Sequence, residues 1–316
     1  MIEIKEVCDR IKDNVSKVIV GKEDVIDLLL VSLITSGHVL LEDVPGLGKT
    51  QLAKSFAKSI DCSFNRIQFT PDLLPSDVTG INFYNQTKGE FEFRKGPVFY
   101  NIILADEINR ATPRTQSSLL EAMEETQVSI DGVTYILEKP FMVIATQNPV
   151  EQQGTFPLPE AQLDRFLMKI SIGYPSKEEE KEILNRYRYQ NPLATLQAVA
   201  TQEDILNIQK NYTDVYLSEE LMEYIIDLVH KTRDYPSISL GVSPRGSLAL
   251  MRASQAYAII QGRDYVLPDD IQKMAIPILS HRILCDNYSH LKGSKPDEII
   301  QDLINEIKTP LEQGVN

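Results

Sequence analysis

The chain has 316 residues, 42% hydrophobic and 24% charged, enough for one large or two modest domains with ordinary cores. Its net charge of −13, from 45 acidic against 32 basic residues spread along the chain, disfavours non-specific attachment to nucleic acid or an anionic membrane. The most apolar run, Leu28–Leu41, is too short and interrupted for the roughly 20 residues of a bilayer span. No charged-then-apolar leader opens the chain. Three widely spaced cysteines suit a reducing compartment better than a disulfide framework, and the four histidines form no zinc spacing. The expectation is a soluble, cytoplasmic protein.

The first strand signal is "HVLLED", His38–Asp43, followed by "VPGLGKT". A strand, a glycine-rich loop and a helix form the context of a phosphate-binding loop. Its backbone N–H groups curl around phosphates, Lys49 reaches the outer ones, and the Thr50 hydroxyl binds Mg²⁺. Gly46 and Gly48 permit the curl, and the helix opening near Lys49 aims its positive end at the anion. The motif wants a further glycine where the chain has Asp43. That position ends the strand before the tightest curve, so its carboxylate could turn away from the phosphates. On this reading Asp43→Gly leaves ATP affinity unchanged or tighter. The bland alternative is a chance Gly-Lys-Thr on a surface turn.

Beyond the loop, Leu52, Phe56 and Ile60 with Ala53 and Ala57 form one apolar helical face. Four further short apolar runs follow, Phe64–Phe69, Asn101–Asp106, Phe141–Thr146 and Phe166–Ile172, which suit strands buried on both faces of a parallel sheet. Two segments alternate around glycine-containing turns, Ile81–Arg94 and Gln127–Leu137, and read as inserted β-hairpins; Asp131-Gly132 is a strong turn signal. The run "NIILAD" delivers Asp106, suited to hold Mg²⁺ through its water shell, and Glu107, suited to polarise a water. The run "FMVIAT" delivers Asn148 to the same sheet edge, where it can bond the γ-phosphate or that water. After Tyr174-Pro175 the pattern turns helical. Ser176 and Glu179 form a capping box, and no later run reads as a strand.

With "LLEDVPGLGKT", "ILADEINRA", "FMVIATQNPVEQQGTFPLPEAQLDRF" and "GVSPRGSLALMRASQAYA" in this order, the chain resembles the AAA+ ATPases, and within them the MoxR family, over most of its length. "EDVPG" is a variant that family tolerates. The resemblance implies an α/β fold, a P-loop three-layer αβα core with a parallel sheet and β-hairpin inserts over residues 1–175, then a smaller all-helical lid over 176–316. It implies that Val20 and Gly21, in "IVGK", lie beside the adenine. The nucleotide-binding loop is Asp43, Val44, Pro45, Gly46, Leu47, Gly48, Lys49, Thr50 and Gln51, with Mg²⁺ at Thr50 and Asp106. The catalytic set is Glu107, Asn148, the arginine finger Arg165 offered to a neighbouring protomer, and the sensor-two Arg245. Ser243 and Pro244 agree with the last, as an N-cap and first helical residue that leave Arg245 at an exposed helix start.

The resemblance further implies ATP and Mg²⁺ as ligands, ATP hydrolysis, and a homo-oligomer in the form of a hexameric ring. It also implies chaperone-like work on protein partners, among them a separate von Willebrand factor A domain protein, since no D-x-S-x-S motif occurs here. The alternatives are a nucleic-acid-remodelling motor, disfavoured because the turn "SIDGVT" carries no basic residue, and a nucleotide-binding scaffold without turnover.

Overall fold

The structure is a computed structural model that describes residues 2–149, 154–286 and 295–310. In chain order the first elements are α1 (Ile2–Ser16), α2 (Glu23–Ile34), β1 (Val39–Glu42), α3 (Lys49–Ser59), β2 (Phe64–Gln68), α4 (Pro75–Thr79), β3 (Gly80–Asn85), β4 (Glu90–Lys95) and β5 (Ile102–Asp106). Next come α5 (Pro113–Glu125), β6 (Gln127–Ile130), β7 (Val133–Ile136), β8 (Met142–Gln147), α6 (Glu160–Leu163) and β9 (Met168–Ile170). The remainder holds α7 (Lys177–Tyr187), α8 (Pro192–Thr195), α9 (Gln202–Asn211), α10 (Glu219–Asp234), β10 (Ile238–Leu240), α11 (Pro244–Ile260), α12 (Pro268–Leu279), β11 (Leu284–Cys285) and α13 (Pro296–Glu306).

The five expected strands form one parallel sheet in the order β2-β5-β8-β1-β9. Because side chains alternate along a strand, the sheet splits its apolar residues between two layers. Val39, Leu41, Ile102, Leu104, Met142 and Ile144 pack towards α1, α2 and α3, meeting Leu52 and Phe56 of the expected helical face. Leu40, Ile103, Ala105, Val143 and Ala145 pack towards Leu119, Leu120 and Met123 of α5. This is the three-layer AAA+ core. Parallel strands bring all their C-terminal ends to one edge, where ligands of open α/β sheets bind.

Both hairpins form, β3 against β4 and β6 against β7. Asp131 and Gly132 take φ of 49° and 83°, the paired positive values of a tight hairpin turn. The hairpins also hold each other: Phe93 stacks on Tyr135 with centroids 4.3 Å apart, and Asn82 donates to Asp131 at 2.7 Å.

The C-terminal part is a helical lid, with one departure from the expected pattern. β10 and β11 form a two-stranded antiparallel ribbon. Strands of three and two residues are too short to leave an alternation in the sequence. The lid helices α10 to α12 share one hydrophobic cluster with α1 and α2. The N-terminal helices are thus packed by both sheet and lid. Among the described residues no helix is long and apolar enough to cross a membrane.

Candidate functional site

The loop between β1 and α3 is curled by Gly46 at φ 89° and Gly48 at φ 80°, and nothing lies within 4 Å of where a Cβ on either would sit. Gly48 caps α3 in the left-handed region, so that helix opens onto this free space. The Lys49 ammonium is held by the Asp43 backbone carbonyl at 2.9 Å.

The Asp43 carboxylate turns away from the phosphate loop, as its strand-end position allowed, but it is not idle there. It is buried, and neither faces the loop nor reaches solvent. Oδ2 accepts from Ile172 N–H at 2.6 Å, and Oδ1 from the Ser171 hydroxyl at 2.8 Å and Gly173 N–H at 3.3 Å. It ties the start of the loop to the segment leaving β9, so the premise behind a harmless Asp43→Gly is gone.

Beside the loop lies a cavity of about 260 Å³ whose walls include Val18, Val20, Ile172, Ile183 and Tyr187, with Gly46 to Gly48 at one end. Gln51 also lines it, and its Oε1 is buried without a hydrogen-bond partner. Gly21 is pressed against α7. A Cβ there would sit 1.7 Å from Glu179 Oε1, and its φ is 67°. Glu179 is fixed in turn by the Ser176 capping box. Apolar walls, a glycine-lined mouth and an unpaired amide oxygen suit a nucleotide with its base in the cavity and its phosphates at Gly46–Thr50.

The other strand ends reach the same edge. In the sheet register Glu42 is level with Gln147 and Gln68 with Asp106, so Asn148, buried just after β8, leaves the sheet at this same edge. Thr146 joins the acidic pair: its hydroxyl donates to Asp106 Oδ1 at 2.6 Å and accepts from Glu107 N–H at 2.9 Å. Asp106 Oδ2 accepts from Arg66 Nε at 3.0 Å and Nη2 at 2.6 Å. Glu107 has the left-handed φ of 57°, a conformation that costs a non-glycine residue about 1–3 kcal/mol and gathers at functional sites. Its Oε2 accepts from Gln68 Nε2 at 2.8 Å and Arg110 Nη1 at 3.1 Å.

Among the described residues no three or more His, Cys, Asp or Glu cluster to hold a metal. A Mg²⁺ ion at Asp106 and Thr50 would therefore take most of its oxygens from water and phosphate, as that ion commonly does. The carboxylate of Asp106 keeps acceptor capacity beyond its present bonds, so the residues fit.

Arg165 and Arg245 lie elsewhere, together. Arg165 Nη1 is 3.0 Å from Glu124 Oε2, and Arg245 Nη2 is 3.1 Å from Glu124 Oε1. Glu124 follows Met123, whose carbonyl is bonded by His38 Nε2 at 3.0 Å, and His38 immediately precedes β1. Arg165 precedes β9, whose Met168 is level with Val39. Both arginines thus sit at the edge where strands begin, a strand's length of roughly 13 Å from the loop edge. Of the residues named from sequence, the loop, Asp106, Glu107 and Asn148 come together, and the two arginines form a second site.

Sequence reasoning missed Arg66, Gln68 and Thr146, and the wall residues Ile183 and Tyr187. The signal for the first two was present: polar residues alternate with Ile67 in "FNRIQF", which a strand buried on both faces would not carry. Ile183 and Tyr187 are four apart on α7, a spacing that cannot say what the face meets.

Residues 38–168 match the model of the ATPase family associated with various cellular activities (AAA), and residues 230–303 match the AAA lid domain. The chain is 52% identical to the YeaC protein of Bacillus subtilis, itself uncharacterized, over 96% of this chain and 94% of that one. It is 41% identical to the chaperone MoxR1 of Mycobacterium tuberculosis, over 94% of this chain and 81% of that one. It is 31% identical to the protein MoxR of Paracoccus denitrificans, over 84% and 85%. A crystal structure from Cytophaga hutchinsonii, named only provisionally as an ATPase, superposes with a TM-score of 0.92 at 44% identity, covering 98% of this chain and 97% of that one. With that relatedness over nearly its whole length, the chain belongs to the MoxR family of AAA+ ATPases.

Proposed function

We propose that the protein hydrolyses ATP to ADP and phosphate with Mg²⁺, in a homo-oligomeric ring of six subunits. The observation that supports this best is the division of the polar groups: Lys49, Asp106, Glu107 and Asn148 at one sheet edge, Arg165 and Arg245 at the other. Such a protomer carries Arg165 and Arg245 away from its own phosphate loop and offers them outwards, the layout of a pocket completed by a neighbour.

The cavity at Val20 takes the base, and Gly21 lies at its edge. The loop residues Val44 to Gln51 wrap the phosphates by backbone N–H groups and the Lys49 ammonium. Asp43 holds that loop from behind. Thr50 and Asp106 would hold Mg²⁺, which would supply positive charge against that developing on the phosphates. Gln68 and Arg110 both bond Oε2 of Glu107, so Oε1 is the oxygen proposed to accept from the attacking water, with Asn148 orienting it.

The coupled work is remodelling of protein partners, supported by the relative named as a chaperone. The partner class suggested by the family resemblance is a separate von Willebrand factor A domain protein. The β6–β7 hairpin carries Asp131 at its turn, with Val133 and Ile136 exposed beside it. That is a poor phosphate-backbone reader and disfavours the nucleic-acid alternative.

Phosphate release and nucleotide binding, measured with and without Mg²⁺, test the proposal. Lys49→Ala should lose ATP affinity, while Glu107→Gln should keep ATP bound and lose turnover. Near wild-type turnover by Glu107→Gln would refute the role given to Glu107. Affinity capture with Glu107→Gln, compared with Lys49→Ala, should then retain the client only in the ATP-bound variant.

A further inference from the structure

We propose that Glu124 is a positioning residue that binds Arg165 and Arg245 into one unit, so that a neighbour's γ-phosphate meets both arginines together. The proposal rests on the reading that Arg165 serves a neighbouring protomer. Each oxygen of the carboxylate holds one arginine, Oε2 at 3.0 Å from Arg165 Nη1 and Oε1 at 3.1 Å from Arg245 Nη2. Two guanidiniums that share a carboxylate would otherwise repel each other, and the negative group between them turns repulsion into a bridge.

The three residues come from three elements. Glu124 ends α5, Arg165 lies between α6 and β9, and Arg245 is in the first turn of α11 in the lid. The bridge therefore fastens a lid residue to a core residue. Its base is firm, because buried His38 bonds the Met123 carbonyl beside it at 3.0 Å. Arg165 Nη1 is also bonded to the Leu120 carbonyl at 3.2 Å. Asp164 Oδ2 lies 3.7 Å from Arg245 Nη1, and its Oδ1 is held at 2.7 Å by Arg282, whose side chain is only 3% exposed.

The arrangement leaves both arginines usable. Arg165 meets Glu124 and the Leu120 carbonyl through the same nitrogen, Nη1, and a guanidinium has five N–H donors. The side chains are 32% exposed at Arg165 and 54% at Arg245, so a neighbour can reach the rest. At that exposure the ion pairs add little to stability. What the bridge supplies is geometry, and misplacing a catalytic group by about 1 Å can cost on the order of 100-fold in rate.

Glu124→Gln tests this with little risk to folding, because the side chain keeps its size but loses its charge and turns an NH2 donor, in place of an acceptor oxygen, towards one of the two arginines. The expected result is a kcat lower by about tenfold or more, with KM for ATP nearly unchanged because the pocket on the same protomer is intact. Mixing supplies the sharper readout. Glu124→Gln with Glu107→Gln should regain ATPase activity, whereas Glu124→Gln with Arg165→Ala should not, since both lesions lie on the finger side. Undiminished kcat in Glu124→Gln, or no recovery with Glu107→Gln while Arg165→Ala with Glu107→Gln does recover, overturns the bridge and leaves the trans reading standing. If the Arg165→Ala mixture itself stays inactive, both fall.

Discussion

Asp43 stands at a position where phosphate-binding loops carry glycine, and its side chain takes three hydrogen bonds from Ser171, Ile172 and Gly173. A buried carboxylate bonded this way is a structural clamp, and removing it leaves those donors unpaired. Asp43→Ala should destabilise the protein by roughly 2–4 kcal/mol, from the desolvation of orphaned donors, readable in urea unfolding. Asp43→Gly should weaken ATP binding, because the loop start is released and a glycine adds freedom there. Unchanged stability and tighter binding in these variants would restore the simpler view that Asp43 is only a nearby charge. The spacing of the motif located Asp43, but not its partners, which lie 128 to 130 positions further on. The same holds for Thr146, whose one hydroxyl serves both Asp106 and Glu107. Local pattern places a residue on a strand end; which neighbouring strand's side chain it meets depends on register.

At the scale of elements, the long regular features were legible. All five sheet strands and both hairpins follow from apolar runs and from Asp131-Gly132, since buried parallel strands and positive-φ turns need particular residue types. The β10–β11 ribbon was not, being too short for a period to show. Nor was the role of His38, which ties three elements together. Its Nδ1 accepts from Val143 N–H of β8 at 3.0 Å, and its Nε2 bonds the Met123 carbonyl of α5 at 3.0 Å, next to β1. Full burial lowers its pKa from the ordinary 6.5 to about 4. In that window the unfolded chain binds a proton that the folded one refuses. Stability is therefore undiminished above the unfolded value and falls as pH drops towards about 4, by about 3 kcal/mol in total. Burial and the neighbouring Arg282 charge also hold His281 low, with the same sign. Urea titrations from about pH 7 to about pH 5 should show a steeper loss for the wild type than for His38→Gln. Equal slopes would mean that His38 does not couple folding to protons.

For the whole molecule, the question is what fixes the lid against the core. Arg282 is the central tie: it donates to the Phe166 carbonyl at 2.7 Å, the Leu167 carbonyl at 3.0 Å and Asp164 Oδ1 at 2.7 Å, with its guanidinium buried. Arg282→Ala should cost about 3–5 kcal/mol, as breaking one side of a buried pair does, and should lower ATPase activity by loosening Arg245 along with the lid. A variant with wild-type stability would show that apolar packing alone holds the two parts. The sequence does not reveal this arrangement, because α1 and α2 open the chain yet pack against helices some 200 residues away, a contact with no local signature.

Whether two protomers share each active site, as proposed, is decided by subunit mixing. Arg165→Ala keeps its own Lys49, Asp106 and Glu107, while Glu107→Gln keeps its finger. Each alone should bind ATP and scarcely hydrolyse it, since an arginine supplied across an interface contributes about 10³–10⁵ in rate. When the two exchange subunits, junctions that pair an intact pocket with an intact Arg165 should form, and phosphate release should reappear. A co-assembled mixture as inactive as its components would contradict the account.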